Sequence, residues 1–440
     1  MGRCGDRESY QKKNKTEDII YPIGLYPPPS YITNVSHPTV ISSTIRKMNT
    51  FPRVVLKKGK EKPVLRGHPW VFSGAVARVE GEVSPGEVGK VYSQGGQFLG
   101  LGQINPRSQI IVRLLTQKKE ELGESFFRER ILKAVLLRKD WSRGKTNAYR
   151  VINGEGDFLP GLIVDRYGET LVLQCLTAGM DRLKEMVIHL LAKELRPRSI
   201  YERSDVATRN EEGLAEQSGL LYGKDIPEWI EIEEQGCHFR VNVKKGQKTG
   251  FYLDQKENRF SLRESSKGKK ILDCFSYTGA FSIHAGSGGA KDFTLIDSSQ
   301  EALAIAEEHF RLNQLEKIPR RLIRGDVFEV MRGIDPGYDI VVLDPPPFAK
   351  KKGHLPGASK GYKDLNLWAF RLLNQEGLLF TFSCSHHMNW DLFQKIVFSA
   401  ALDSGRTVQL IGRMGHPWDH PINICHPEGE YLKGLICRVV

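Results

Sequence analysis

Residues 270–282 read KILDCFSYTGAFS, 292–297 DFTLID, 320–326 RRLIRGD and 338–348 YDIVVLDPPPF. Each is a short apolar run with an acid at or near its end: Asp273, Asp297, Asp326 and Asp344. A fifth run, GLLFTFS, closes at Ser383. The intervals carry helical periods, most clearly over 300–313. Strands alternating with helices at this spacing predict a doubly wound, mostly parallel sheet. Ligands of such sheets lie at the carboxyl ends of the strands, near the reversal of strand order. The four acids are therefore expected along one edge.

Upstream the texture changes. Residues 149–240 mix strands (LIVDRYG, TLVLQCL, SIYERS) with one clear helix over 180–195, and 122–146 carry a helical period through Phe126, Phe127, Ile131, Val135 and Leu136. Residues 51–120 read as short strands between glycine turns, which predicts a small β-barrel. That segment holds twelve Lys and Arg against five Glu, a net +7 of the +12 of the whole chain. A basic barrel suits a polyanion such as RNA. Residues 1–47, with YPIGLYPPPS and no sustained period, read as a disordered extension, and Met48 is a second candidate start. The expected divisions are 1–47, 48–121, 122–237 and 238–440.

With 440 residues, 40% hydrophobic and 26% charged, the composition is globular. No apolar run reaches the length of a membrane span, and the N-terminus lacks the apolar centre of a secretory signal. The seven cysteines contain no CxxC, so neither a disulfide framework nor a metal site is expected. A reducing cytoplasm fits best.

The acids suggest a ligand. A carboxylate at the second strand's end, Asp297, is placed to accept both hydrogens of a ribose diol. Asp326, after the third strand, can reach an adenine amine. The turn after the first strand has one glycine, Gly279, read as allowing a ligand close to the backbone. G-x-G-x-x-G and a phosphate-loop lysine are absent. A nucleoside ligand without pyrophosphate fits better, and S-adenosylmethionine is that ligand.

Two further residues carry chemistry. Cys384, in TFSCSHHM, ends the strand expected beside that of Asp344. C5 of a pyrimidine is a poor nucleophile until a thiolate adds at C6. Asp344 is placed to hold or protonate N3, and the proline-rich DPPPF loop, with Pro345, Pro346 and Phe348, to clamp the base. His386 and His387 stand next to the thiol.

At these residues the chain resembles the bacterial rRNA large subunit methyltransferase I family. The similarity runs from about Phe51 to Val440. It rests on LKKGKEKPVLRGHPWVFSGAV, GDFLPGLIVDRYG, YERSDVATRNEEGL, VKKGQKTGFYLDQKENR, LDCFSYTGAFS, DPPPFAK, KGYKDLN, SCSHHM and DHP…PEGEYLKGL. The resemblance implies a PUA-type barrel, a central mixed α/β domain and a Rossmann-like class I methyltransferase domain. It implies methylation of cytosine C5 in 23S rRNA with S-adenosylmethionine, through a covalent Cys384 adduct. Phe275, Tyr277 and Gly279 would wrap the methionine part. Gln247, Thr249, Phe251 and Asp254 would face the cofactor, together with Asp273, Asp297, Asp326 and Val327. Tyr362 and Lys363 would belong to a loop closing over the substrate. A homodimer is allowed for. Phe158 stands where the family commonly has glycine, and the DPP carries a third proline. Two other functions compete: an RNA N-methyltransferase, which needs no thiol, and a non-catalytic rRNA-binding or ribosome-assembly protein, which needs no cofactor site.

Overall fold

The computed structural model describes residues 51–142, 146–349 and 351–440; the extension expected over 1–47 lies outside them. Arg53–Leu56 (β1), Trp70–Phe72 (β2), Val76–Glu80 (β3), Glu87–Tyr92 (β4), Phe98–Ile104 (β5) and Ile110–Thr116 (β6) form one sheet in the order β2-β6-β5-β4-β1-β3. A single turn of helix, Lys62–Leu65 (α1), adds Val64 to a core made by Val54, Leu56, Val91, Leu99, Ile104 and Val112.

Next come Glu124–Ser142 (α2), Ala148–Asn153 (β7), Leu162–Tyr167 (β8), Thr170–Cys175 (β9), Ala178–Leu195 (α3), Ser199–Ser204 (β10) and Gln217–Gly223 (β11). The sheet order is β11-β10-β9-β8-β7. Phe127 and Ile131 of α2 and Met180, Val187, Leu190 and Leu191 of α3 pack into one core with its strands. Thr177 starts α3 by accepting the Met180 N–H at 3.3 Å, a side-chain N-cap.

Ile230–Glu234 (β12) and Cys237–Val241 (β13) form a hairpin that pairs across the 237/238 division, Ile230 opposite Val241. Phe239 and Val241 share one core with Ile271 and Phe293 of the C-terminal sheet and with Ala148, Tyr167 and Val172 of the preceding one.

Lys256–Glu264 (α4) leads into the seven strands of that sheet: Lys270–Cys274 (β14), Asp292–Asp297 (β15), Arg320–Arg324 (β16), Tyr338–Leu343 (β17), Leu373–Ser383 (β18), Val408–Met414 (β19) and Lys433–Val439 (β20). Their order is β16-β15-β14-β17-β18-β20-β19. β14 to β18 run parallel, and β20 and β19 are antiparallel additions. The helices are Ala280–Ser287 (α5), Gln300–Leu312 (α6), Val327–Gly333 (α7), Leu355–Leu372 (α8) and Trp390–Ser404 (α9). Alternate strand residues enter different cores. Ile271, Leu295, Ile340 and Val342 pack with Phe281, Leu303 and Phe310 of α5 and α6. Leu272, Ile296, Val341 and Leu343 pack with residues of α7, α8 and α9, among them Met331, Leu365 and Phe393. Burial on both faces is why these strands read as continuous apolar runs. The order reverses between β14 and β17, so a crevice opens at the carboxyl ends of those two strands.

A buried ion pair ties the hairpin to α4. Arg259 donates to both Glu234 oxygens at 2.7 and 2.8 Å, and His284 Nε2 lies 3.1 Å from Glu234 Oε1. Burial alone would raise the Glu234 carboxyl, but the Arg259 charge and the His284 contact outweigh it and hold it at about 2. The folded value lies below the ordinary 4.5, so this stabilisation is complete above that pH and is lost as pH falls toward 2. Arg259→Met leaves the buried carboxylate without its guanidinium partner, His284 alone remaining, and is expected to cost about 3–5 kcal/mol in urea unfolding. Arg259→Met combined with Glu234→Gln should recover much of the loss.

Candidate active site

The loop after β14 is built on left-handed backbone: Phe275, Tyr277 and Gly279 have φ of 60°, 48° and 73°. For a residue with a Cβ this costs about 1–3 kcal/mol and requires support. The Tyr277 N–H donates to Asp297 Oδ2 at 2.8 Å and the Ser276 N–H to the Ile296 carbonyl at 3.1 Å. Gly279 also has a packing reason. A Cβ there would meet Ala306 Cβ at 3.0 Å and Leu295 Cδ2 at 3.3 Å. The approach of α6 and β15 and the left-handed φ both favour glycine here.

The four acids do lie at the sheet's carboxyl edge, with different environments. Asp273 is buried and accepts from Ser282 Oγ at 2.6 Å; burial, with a contribution from Asp344, pushes its carboxyl up to about 7. Its contact fastens α5 to β14. Asp297 is partly exposed and accepts from the N–H groups of Tyr277 and Ser299, both at 2.8 Å, one on each oxygen. A second lone pair remains on each oxygen for a diol. Asp326 is exposed and caps α7 through the Phe328 N–H at 2.7 Å, with Val327 buried behind it.

The GQKTGFYLDQ segment meets this loop from above. The Gln247 N–H donates to Tyr277 Oη at 3.2 Å, Tyr252 donates to Gln247 Oε1, and the Tyr252 and Tyr277 rings stand edge to face at 5.6 Å. Thr249 and Phe251 depart from the expectation. Thr249 is buried, donates to Asp165 at 2.6 Å and lies 2.8 Å from Tyr167 Oη; Phe251 packs on Phe239 at 5.2 Å. Both side chains are engaged in the interior rather than turned to a cofactor.

β17 and β18 are adjacent and parallel, with Leu343 beside Thr381, so Asp344 and Cys384 leave neighbouring strand ends. Cys384 Sγ lies 3.7 Å from the carbonyl oxygen of Pro345, the residue after Asp344. Gln255 Nε2 donates to Asp344 Oδ1 at 2.9 Å. Burial and then the Asp254 charge push the Asp344 carboxyl up to about 7. Burial and then the Asp344 charge push the Cys384 thiol up to about 12, with Lys248 pulling the other way. The two groups share one electrostatic site, and near neutral pH the thiol keeps its proton.

Beneath this pair, Tyr362 is buried: its ring lies 4.9 Å from Phe348 and its hydroxyl accepts from Ser383 Oγ at 3.1 Å. Tyr362 and Lys363 are on α8, not on a closing loop; Ala358, Tyr362, Leu365, Asn366 and Ala369 give the helix its buried face. Tyr362 supports the turn that presents Cys384, and Lys363 pairs with Asp403 of α9 at 2.7 Å. Pro345 is buried, Pro346 exposed and Phe348 partly exposed. His386 and His387 are exposed, and His386 Nδ1 lies 3.4 Å from the Glu428 carbonyl. Sequence reasoning did not single out Gln255, Tyr252, Lys248 or Lys433. All four sit inside quoted motifs without an assigned task. Lys433, opposite Ser383 on β20, donates to the Ser385 carbonyl at 2.9 Å and so braces the same turn.

A family model described as a PUA-like domain matches residues 54–117, and one described as an S-adenosylmethionine-dependent methyltransferase matches 214–382. The ribosomal RNA large subunit methyltransferase I of Escherichia coli O157:H7 is 45% identical over 394 residues, 88% of this chain and 99% of that one. The Salmonella arizonae protein of the same name is 44% identical over 396 residues, 89% of this chain and 98% of that one. The chain belongs to the ribosomal RNA large subunit methyltransferase I family. Two solved structures are also similar. The crystal structure of a methyltransferase complexed with SAH has a TM-score of 0.77 and 26% identity, covering 88% of this chain and 100% of the other. That of an S-adenosylmethionine-dependent methyltransferase from Streptococcus mutans has a TM-score of 0.76, with the same identity and coverage. Membership gives the family's cofactor, S-adenosylmethionine. The chain's own donor set fits it: Asp297 keeps acceptor capacity for a ribose, and the Phe275–Gly279 loop and Gln247 border the same edge. Among the described residues no helix is long and apolar enough to cross a membrane.

Proposed function

We propose that this chain methylates C5 of a cytosine in large-subunit ribosomal RNA, with Cys384 as the covalent nucleophile and Asp344 as the partner of N3. The observation that carries the reading is the shared site of thiol and carboxyl, Cys384 Sγ lying against the carbonyl next to Asp344. A pure RNA binder has no use for this pair, and an N-methyltransferase has no use for the thiol.

Asp344 takes the thiol proton and presents it to N3. The Cys384 thiolate adds to C6, the ring electrons move toward C5, and N3 receives the proton from Asp344. The cofactor supplies an electrophilic methyl group on a sulfonium. C5 takes that methyl and then loses its proton to a base. Cys384 leaves as N3 gives back its proton, and the pyrimidine is restored. A base inside a helix has to leave its stack to reach Cys384.

Asp297 holds the ribose, Asp326 the adenine, and Phe275, Tyr277 and Gln247 border the methionine part. Asp297→Ala removes a charged hydrogen-bond acceptor and is expected to weaken S-adenosylmethionine binding about 10- to 100-fold by calorimetry. Residues 48–121 anchor RNA through the net +7 of their 51–120 stretch, 122–237 form the central domain and 238–440 the catalytic one. The test is mass spectrometry of rRNA nucleosides after incubation of unmodified rRNA with the protein. 5-Methylcytosine is the expected product; a methylated purine, or no product, overturns the assignment.

A further inference from the structure

We propose that Asp254 reads the exocyclic amine of the target base, so that Asp254 and Asp344 together distinguish cytosine from uracil. This rests on the cytosine-C5 reading and departs from the cofactor-facing role that family resemblance implies for Asp254.

The geometry of Asp254 is lopsided. The residue is 2% exposed. Its Oδ2 takes both partners, the Tyr431 hydroxyl at 2.8 Å and the Lys248 ammonium. Its Oδ1 is buried with no hydrogen-bond partner. A buried carboxylate oxygen left unpaired is costly, and such an atom persists where a ligand supplies the donor. The next residue along the chain, Gln255, donates to Asp344 Oδ1 at 2.9 Å, which sets the two carboxyl groups in one neighbourhood. Asp254 is also the charge that acts most strongly on Asp344.

The two carboxyls differ in how readily they hold a proton. Burial works against ionisation of Asp254, but Lys248 and His420 outweigh it and hold the carboxyl far below the usual range. Asp344 is held near 7 and carries a proton for part of the time. An ionised carboxylate only accepts, and a protonated one can donate. Cytosine presents an acceptor at N3 and a donor at N4. Uracil presents a donor at N3 and an acceptor at O4. Only cytosine matches an Asp344 donor beside an Asp254 acceptor, and uracil is mismatched at both points. In the asparagine variant, Tyr431 and Lys248 claim the amide oxygen, and the NH2 replaces Oδ1.

The experiment uses an rRNA fragment bearing the cytosine that the unaltered protein converts to 5-methylcytosine. That product is confirmed first, and its absence counts against the function rather than against this inference. Affinities are then measured in the Cys384→Ala background, which prevents covalent capture, for the fragment and for one with 2-pyrimidinone, which lacks the amine, at the target. Loss of the amine is expected to weaken binding about 10- to 100-fold when residue 254 is Asp and less than about threefold in Asp254→Asn. S-Adenosylmethionine affinity should stay within about threefold. Equal penalties in the two proteins overturn the inference. So does a tenfold loss of cofactor affinity in a variant with an unchanged melting temperature. If Asp254→Asn fails to fold, Asp254→Glu, which keeps the charge and displaces the oxygen, gives the same reading. An amine penalty below about threefold with Asp254 in place overturns it without any variant.

Discussion

Cys384→Ala is expected to abolish methylation, by about 10⁴-fold or more, while S-adenosylmethionine binds as before. The size follows from the chemistry. C5 acquires nucleophilic character only through addition at C6, and nothing else beside the base replaces the sulfur. The selectivity follows from the structure. Cys384 contacts the Pro345 carbonyl, whereas the residues assigned to the cofactor are Gln247 before α4 and those on the loop after β14 and at the ends of β15 and β16. A second readout separates covalent catalysis from a packing effect. RNA with 5-fluorocytosine at the target has no C5 proton to release, so the adduct cannot break down after methyl transfer. The protein with Cys384 should form a denaturant-resistant complex with this RNA, and the alanine variant none. An alanine variant that methylates normally would remove the thiol from the mechanism and return the nitrogen-methylating reading to first place.

Much of this arrangement is legible in the chain itself. The apolar runs ending at Asp273, Asp297 and Asp344 read as strands because both faces of each are buried, so the residues before each acid are apolar but for Thr294, which accepts a hydrogen bond from Tyr338. Cys384 and Asp344 can be paired because adjacent parallel strands deliver their carboxyl ends side by side. Other features depend on long-range contacts that no local motif encodes. Thr249 is spent on Asp165, 84 residues upstream. Gln255 reaches Asp344 across 89 residues, and Tyr431 reaches Asp254 across 177. Tyr362 departs from expectation for another reason. Resemblance implies a loop at KGYKDLN, yet Ala358, Tyr362, Leu365 and Ala369 already carry a helical period. At Gly279 the structure adds a reason that no local motif encodes: a Cβ would press on Ala306 and Leu295.

Asp344→Asn is expected to lower kcat/KM about 10²- to 10⁴-fold and at the same time to make Cys384 more reactive toward iodoacetamide at pH 8. The opposite signs come from one electrostatic fact. The Asp344 carboxylate is the leading charge that raises the thiol, pushed to about 12, and the carboxyl itself sits at about 7. Between those values the pair carries a single proton. Catalysis needs that proton on Asp344 and the thiolate free, and this arrangement has the same proton count as the resting one. kcat/KM should therefore rise tenfold per pH unit up to about 7, as the second proton leaves, and then level off. Asparagine cannot accept the thiol proton or return one to N3, so the chemical step slows. It also carries no charge, so the barrier to forming the thiolate falls and alkylation accelerates. A variant that is slow in both assays would mean that the substitution had displaced Cys384. A variant with unchanged alkylation would mean that Asp344 does not govern the thiol, and the proton transfer between them would have to be abandoned.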